Sequence, residues 1–404
     1  FLHFQLFMKH WPAYLQRQRS EYLKPPLPVE CIADMIVVIP CFNEKKLTVT
    51  LNSLIECNSP GVNTQVVIVI NSTVQSNKKA IQQNRETYQE VLKFSKTFST
   101  HRLHFVPIIV ENLPKKHGGV GLARKIGMDL AVDHFYKTNN PEGILISLDA
   151  DCTVSKNYLR DIYEAFQNKK VRCTIHNFHH RTEDNNETIE KAIREYEGYL
   201  RYFEKSLKYT GFPYYYHTIG SAFAVTADAY VCAGGMGRQQ GGEDFYFLHK
   251  IFPMGKVAVL DNVFVYPMAR FSERVPFGTG PALQKIIAEP DGRIKVYSMD
   301  AFAALKEFFD KIDLFFKQPE NAVAEIITLL HPSLQEFIQR NNMEANIMDC
   351  NDNCATLVSF RKRFFQHFNA FNIIKYLNYS HREGYFDLES LATCNNKYSK
   401  YIGN

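Results

Sequence analysis

Leu145-Ile146-Ser147-Leu148-Asp149-Ala150-Asp151 is an apolar run that ends abruptly in two carboxylates one residue apart. A short apolar run of this kind reads as a buried strand. In an extended chain, residues i and i+2 point to the same side. The spacing therefore predicts that Asp149 and Asp151 face one ligand site at the carboxyl end of that strand. Open α/β sheets bind ligands at this edge. Mg²⁺ and Mn²⁺ prefer oxygen ligands, and Mg²⁺ is usually held by one or two carboxylates plus substrate phosphates. Asp-x-Asp alone is also a common acidic surface turn, so the flanking pattern has to decide.

Working outward, Met35–Ile39, Val66–Ile70, Phe105–Val110 and Ile144–Leu148 are apolar runs of strand length. Between them, Lys46–Cys57, Lys78–Phe98 and Leu122–Tyr136 have helical spacing. Strands alternating with helices predict a mostly parallel sheet covered on both faces, the nucleotide-binding half of a doubly wound α/β fold. Beyond it, helical spacing predicts a helix from Glu187 to Lys208. Strands are expected at Ile219–Val225, Val257–Leu260 and Val263–Tyr266, followed by a Pro/Gly-rich loop from Pro267 to Pro281. From about Ser298 the chain turns helical, with Leu357, Phe360, Phe364, Phe368, Phe371, Ile374 and Asn378 on one stripe. Arg361, Lys362, Arg363 and Lys375 lie opposite, a pattern of either core packing or a membrane-surface helix. The expected domains are an N-terminal segment 1–34, a catalytic domain 35–285 and a helical region 286–404.

With 404 residues, 45% of them hydrophobic and 22% charged, the composition is that of an ordinary globular protein. A net charge of +5 suits an anionic ligand, and no nucleic-acid-reading motif or dense Lys/Arg stripe is present. No apolar run approaches the ~20 residues that span a bilayer. The apolar start Phe1–Met8 is short and lacks a basic leader, so it reads as a poor signal peptide and leaves open a peripheral membrane contact. The nine cysteines show no disulfide or zinc spacing, which predicts a reduced, cytoplasmic setting.

Several features share the strand-end position of the aspartates. The first strand ends in Pro40-Cys41-Phe42-Asn43-Glu44, placed to grip a base or ribose. The second ends in Asn71-Ser72-Thr73, and the third leads through Lys115-Lys116-His117 to Gly118-Gly119-Val120-Gly121-Leu122-Ala123-Arg124-Lys125. Glycines admit close backbone approach, and a helix N-terminus favours anions. Far downstream, Gly242-Glu243-Asp244 opens another helix, whose dipole would favour the ionised carboxylate a general base requires. Asp is also an ordinary helix cap.

Met35–Glu44, Gly-Gly-x-Gly-x-Ala-Arg, Asp149-Ala150-Asp151 and Gly242-Glu243-Asp244, in this order, resemble the family 2 glycosyltransferases over roughly Asp34 to Pro281. The resemblance implies a GT-A-like, Rossmann-type mixed sheet flanked by helices, with the C-terminal helices as an extension. It also implies an inverting, Mn²⁺- or Mg²⁺-dependent hexosyl transfer from a nucleotide-diphosphate sugar to an acceptor hydroxyl. Pro40, Asn43 and Glu44 would then line the nucleotide, joined by Asn71, Gly118, Gly119 and Arg124. Asp149 would approach ribose or metal, and Asp151 would hold the metal. Asp244 would be the base, with Glu243 beside it. Relatives often carry Asp-Asp-Gly-Ser where Asn71-Ser72-Thr73 stands. Asn offers donor and acceptor and can still pair with uracil, but it weakens the case for uridine over guanosine; a UDP-sugar is expected ahead of a GDP-sugar. Lys125 replaces the usual Asn and is expected to face solvent or diphosphate.

Arg270 and Arg274, in the Pro/Gly-rich loop, have the shape for phosphate. His176, His217 and His249 are candidates for a third metal ligand, and Tyr216 and His217 for acceptor contact. Trp11 is expected outside the core. The expected partners are the nucleotide sugar and a glycan, lipid-linked or small-molecule acceptor; a homo-oligomer stays open, and the C-terminal helices would serve acceptor, dimer or membrane contact. Two alternatives remain: a sugar-nucleotidyltransferase, which should carry its Gly-rich loop directly after the first strand, and a non-catalytic nucleotide-sugar-binding scaffold.

Overall fold

A computed structural model describes residues 9–18, 25–29, 31–116, 118–182, 186–239, 241–271 and 278–403. The contacts divide the chain into two compact units, Phe1–Asn185 with Thr218–Pro281, and Asn186–His217 with Ala282–Asn404. Among the described residues no helix is long and apolar enough to cross a membrane.

The first unit is built on an eight-stranded sheet in the order β3-β2-β1-β4-β7-β6-β8-β5. Its strands are β1 (Met35–Cys41), β2 (Thr64–Thr73), β3 (Leu103–Leu113), β4 (Ile144–Ser147), β5 (Cys152–Val154), β6 (Val171–Phe178), β7 (Phe223–Thr226) and β8 (Lys256–Pro267). β3, β2, β1 and β4 run parallel, as the apolar runs predict, and the sheet becomes mixed where β7 pairs antiparallel with β4 and β6. This is the GT-A-like α/β architecture the resemblance implies. β1 is buried along its whole length, as expected of a strand with helices on both faces.

Pro40 sits in this central strand, where proline normally breaks a ladder. Val38 and Pro40 bond on the same side, and Val38 O accepts from Leu148 N at 3.1 Å. The β1–β4 pairing ends at Val38↔Ser147, so no ladder partner awaits the N–H that Pro40 lacks.

The helices of this unit are α1 (Trp11–Gln18), α2 (Leu47–Ile55), α3 (Lys78–Phe98), α4 (Val120–Lys137), α5 (Tyr158–Phe166), α7 (Ala227–Cys232) and α8 (Glu243–Ile251). α3 starts where Asn77 Oδ1 accepts from Ala80 N. α4 is buried on nearly every face. It approaches the sheet so closely at Gly127 that a Cβ there would overlap Val38 Cγ1.

Three expectations are corrected. Val257–Leu260 and Val263–Tyr266 are one strand, β8; its partner register jumps from His176↔Leu260 to Asn177↔Phe264, so an irregularity absorbs the polar residues between them. Trp11 is fully buried, stacked on Tyr136, and therefore belongs to the core. The apolar start Phe1–Met8 lies outside the described residues. The third correction is in the second unit.

That unit holds α6 (Glu187–Tyr209), α10 (Met299–Asp310), α11 (Glu320–Thr328), α12 (Pro332–Arg340), α13 (Met343–Asn353), α14 (Leu357–His367), α15 (Ala370–Arg382) and α16 (Leu391–Gly403). α9 (Thr279–Ala288) runs across the division. The stripe from Leu357 to Asn378 is broken, because Asn369 Oδ1 accepts from Phe371 N and Asn372 N and starts a new helix. α15 therefore buries Ile373, Tyr376 and Leu377, while Phe371 is exposed. Phe308, Phe309, Phe364, Phe365 and Phe368 pack edge-on in its core. On the basic face, Arg361 pairs with Asp313 and Arg363 with Asp349.

Candidate active site

The two opening carboxylates are not on an extended strand. β4 stops at Ser147, and Cys152 N donates to Asp149 O at 3.1 Å, closing a turn over Asp149–Cys152. Thr50 Oγ1 pins that turn through Ala150 O at 2.8 Å, and Arg181 Nη2 through Asp151 O at 3.3 Å. The i, i+2 argument needs strand geometry that ends two residues too early. In its place, Asp149 and Asp151 are each engaged by a different arginine.

Arg124 takes the first. Its Nη2 donates to Asp149 Oδ1 at 2.6 Å, and its Nη1 donates to Glu243 Oε1. Side-chain exposure is 3% for Arg124 and 2% for Glu243, so neither charge is sustainable without the other. Asp244 follows directly. A Cβ on Gly220 would lie 2.8 Å from Asp244 Oδ2 and 3.1 Å from Arg124 Nη2, so any larger residue would push this group aside. Ser147 Oγ donates to Gly220 O at 2.5 Å and fixes that approach. Three carboxylates thus gather around one guanidinium. Gly220 and Ser147 carry no chemistry of their own, and only close-approach spacing before an apolar strand could have signalled them.

Burial and repulsion by Glu243 raise the Asp244 carboxyl to about 6, against the pull of Arg124. The helix dipole was expected to favour the ionised form; its worth, roughly 0.3–1 kcal/mol at an exposed terminus, is outweighed. Burial works against the charge of Arg124 too, but Asp149 and Glu243 more than reverse this and hold it protonated.

Arg270 takes the second aspartate. Its Nη2 donates to Asp151 Oδ2 at 2.9 Å and also to Glu44 Oε2. Glu44 is nearly sealed off, with 4% side-chain exposure, whereas Asp151 keeps 28%. Arg274 and His117 lie outside the described residues. Asp149 and Asp151 present partly exposed hard oxygens, a donor set that suits Mg²⁺ or Mn²⁺.

The nucleotide candidates are joined by a residue the sequence did not single out. Asn43 adopts a left-handed backbone, φ 50°, and its N–H donates to Asn84 Oδ1 at 2.8 Å. Asn84 Nδ2 donates to Asn71 O at 2.8 Å, so one buried side chain of α3 stitches the ends of β1 and β2. Asn71 itself is buried, and Pro40 lies within β1. Gly118 packs on the Thr73 side chain, Gly119 precedes α4, and Gly121 lies against Gln239 O and Glu243. Lys125 faces neither solvent nor a ligand: it is buried, 2.8 Å from Asp129, which also accepts from the Tyr14 and Tyr230 hydroxyls.

His176 is a core residue whose ring meets Tyr158 edge-on, with Nε2 2.9 Å from the Thr174 hydroxyl. His249 packs between Phe245 and Phe252, and burial lowers it to about 4. Tyr216 and His217 belong to the second unit, where Tyr216 packs on Tyr215 with ring centroids 4.5 Å apart. Among the described residues one mixed cluster has metal-ligating groups in reach of one another, Asp349, Cys350 and His367. Arg363 already grips both Asp349 oxygens, at 2.7 and 3.0 Å, which makes it an ion-pair network.

The model of the glycosyl transferase family 2 matches residues 36–230. No curated protein matches the sequence. Among solved structures, S. aureus TarS 1–349 is 15% identical, over 87% of this chain and 91% of that one, with a TM-score of 0.37. The same protein in complex with UDP-GlcNAc gives 14%, 87%, 92% and 0.40. GalNAc-T7 with UDP, GalNAc and Mn²⁺ gives 16% identity over 80% of this chain and 58% of that one, with a TM-score of 0.36.

Proposed function

Because the chain belongs through residues 36–230 to the family 2 glycosyltransferases, we propose that it transfers a sugar with inversion from a nucleotide-diphosphate donor, UDP-linked ahead of GDP-linked, to an acceptor hydroxyl. The observation that carries this reading is the contact of Arg124 with both Asp149 and Glu243, one residue from Asp244. It ties a donor-side carboxylate to the start of the helix bearing the base.

Asp244 takes the acceptor proton. A carboxyl raised to about 6 is largely ionised near neutral pH and still basic enough to help the attacking oxygen. Attack from the face opposite the departing diphosphate inverts the anomeric carbon, and one positioned carboxylate suffices for it. Asp149 and Asp151 are the residues that would hold Mg²⁺ or Mn²⁺, which when bound supplies Lewis-acid stabilisation of the leaving diphosphate. Arg270, half-exposed beside Asp151, adds a second positive charge on that side. Asn43 and Asn71, clamped by Asn84, offer the rim for base and ribose. We place it in a reducing, cytoplasmic setting, because the cysteine spacing offers no disulfide or zinc pattern.

The test pairs two variants against a panel of UDP- and GDP-sugars, with the product anomer read by NMR. Asp151→Ala should abolish metal-dependent nucleotide binding. Asp244→Asn should bind donor normally and lose transfer. Near wild-type transfer by Asp244→Asn would remove Asp244 from the base role.

A further inference from the structure

One guanidinium nitrogen, Arg270 Nη2, serves two carboxylates 107 residues apart in sequence, Glu44 and Asp151 (151 − 44). The two ends differ. Glu44 is almost completely buried, and its other oxygen accepts from Lys46 N at 3.1 Å, so it is fixed in place and depends on a cation. Asp151 is more exposed and is held through its backbone oxygen by Arg181. A buried carboxylate stripped of its counter-charge is strongly destabilising. Arg270 therefore has reason to stay with Glu44 and freedom to let go of Asp151.

We propose that Arg270 is the resident counter-ion of the donor site: it and a divalent ion exclude one another at Asp151, so that the ion binds together with the nucleotide diphosphate and not before it. This rests on the reading that Asp151 is a metal ligand. Arg270 Nη2 stands 2.9 Å from Asp151 Oδ2, and Mg²⁺ would need to come within about 2.1 Å of a carboxylate oxygen. An ion on either oxygen of that carboxylate would stand close enough to the guanidinium for strong repulsion. A metal ion arriving alone would displace Arg270 from Asp151 and leave the released N–H without an anionic partner. A nucleotide diphosphate arriving with the ion gives the released N–H an anionic partner, for which a guanidinium is well shaped. The coupling is reciprocal by linkage: Arg270 makes metal and diphosphate tighten each other's binding.

The experiment measures Mn²⁺ binding by electron paramagnetic resonance, with and without UDP, on the full chain. It compares wild type, Arg270→Gln and Arg270→Lys, after thermal melting has shown each to be folded. Wild type should bind Mn²⁺ weakly alone and more tightly with UDP. Arg270→Gln should bind Mn²⁺ alone at least about fivefold tighter than wild type, the lower end of ordinary site-to-site coupling. Its gain on adding UDP should shrink correspondingly, with Arg270→Lys in between. If Arg270→Gln leaves Mn²⁺ affinity without UDP unchanged or weaker, while UDP still promotes Mn²⁺ binding, the counter-ion role is overturned and the metal reading stands. If Mn²⁺ binds none of the three proteins even with UDP, both are overturned.

Discussion

Arg124 Nη2 lies 2.6 Å from Asp149 Oδ1, and the same guanidinium spends its other terminal nitrogen on Glu243. The charge is shared by two elements that are 94 residues apart in sequence (243 − 149) and carry different steps of the proposed reaction. Arg124→Ala would leave Glu243 buried without a counter-charge beside Asp244. Breaking a buried pair in this way typically costs about 3–5 kcal/mol, and urea denaturation should register a loss of that size. Arg124→Lys keeps the charge but offers a point donor in place of a fork. It should recover much of the stability and little of the transfer rate.

The pH dependence follows from the raised carboxyl of Asp244. A general base works when deprotonated, so transfer should rise with pH through an apparent pKa near 6 and level off above it. The sign for stability is opposite. A carboxyl whose folded pKa is raised binds its proton more tightly when folded, so its contribution is fully present below the unfolded value. It is lost as pH rises through the folded one. Above pH 6 the ionised Asp244 therefore strains the fold. Asp244→Asn should melt higher than wild type at pH 8, by on the order of 2 °C or more, and the difference should vanish near pH 4. A melting point unchanged at both pH values would mean that Asp244 is not burdened by burial and Glu243.

Much of this arrangement was legible in the chain and part of it was not. The parallel half of the sheet announces itself because each strand is a short apolar run, and Lys78–Phe98 is a helix at the expected bounds. Asp244 falls in the first turn of α8, as the Gly-Glu-Asp pattern predicts. The mixed half was harder. Cys152–Val154 is too short for a periodic signal, and β8 hides its continuity behind Asp261 and Asn262. Partners were the least readable, because ion pairs carry no periodicity. Arg270 meets Glu44 across 226 residues of chain. Lys125 reads as a surface cation until α1 brings Tyr14 over it.

Lys125 allows a direct test of that last point. Its ammonium is buried with Asp129, on which two tyrosine hydroxyls also converge. Lys125→Met should destabilise the protein by about 3–5 kcal/mol, as expected when one member of a buried pair is removed. Nucleotide affinity of the folded fraction should not change. If calorimetry found weaker UDP binding with normal stability, Lys125 would be a diphosphate ligand after all.

Asn84 offers a contrasting case, in which stability and binding should fall together. Its amide oxygen accepts from the Asn43 N–H and its amide nitrogen donates to Asn71 O, so one side chain sets the spacing of two strand ends. Asn84→Ala leaves a donor and an acceptor unmet where Asn84 itself is buried, at about 1–3 kcal/mol for each such group. Asn84→Asp keeps the acceptor for Asn43 but sets a buried carboxylate against Asn71 O, so near neutral pH it should cost at least as much. Because Asn43 and Asn71 form the proposed rim for base and ribose, both variants should raise the KM for donor more than they lower kcat. A fall in kcat with KM unchanged would place the nucleotide elsewhere and confine Asn84 to holding the fold.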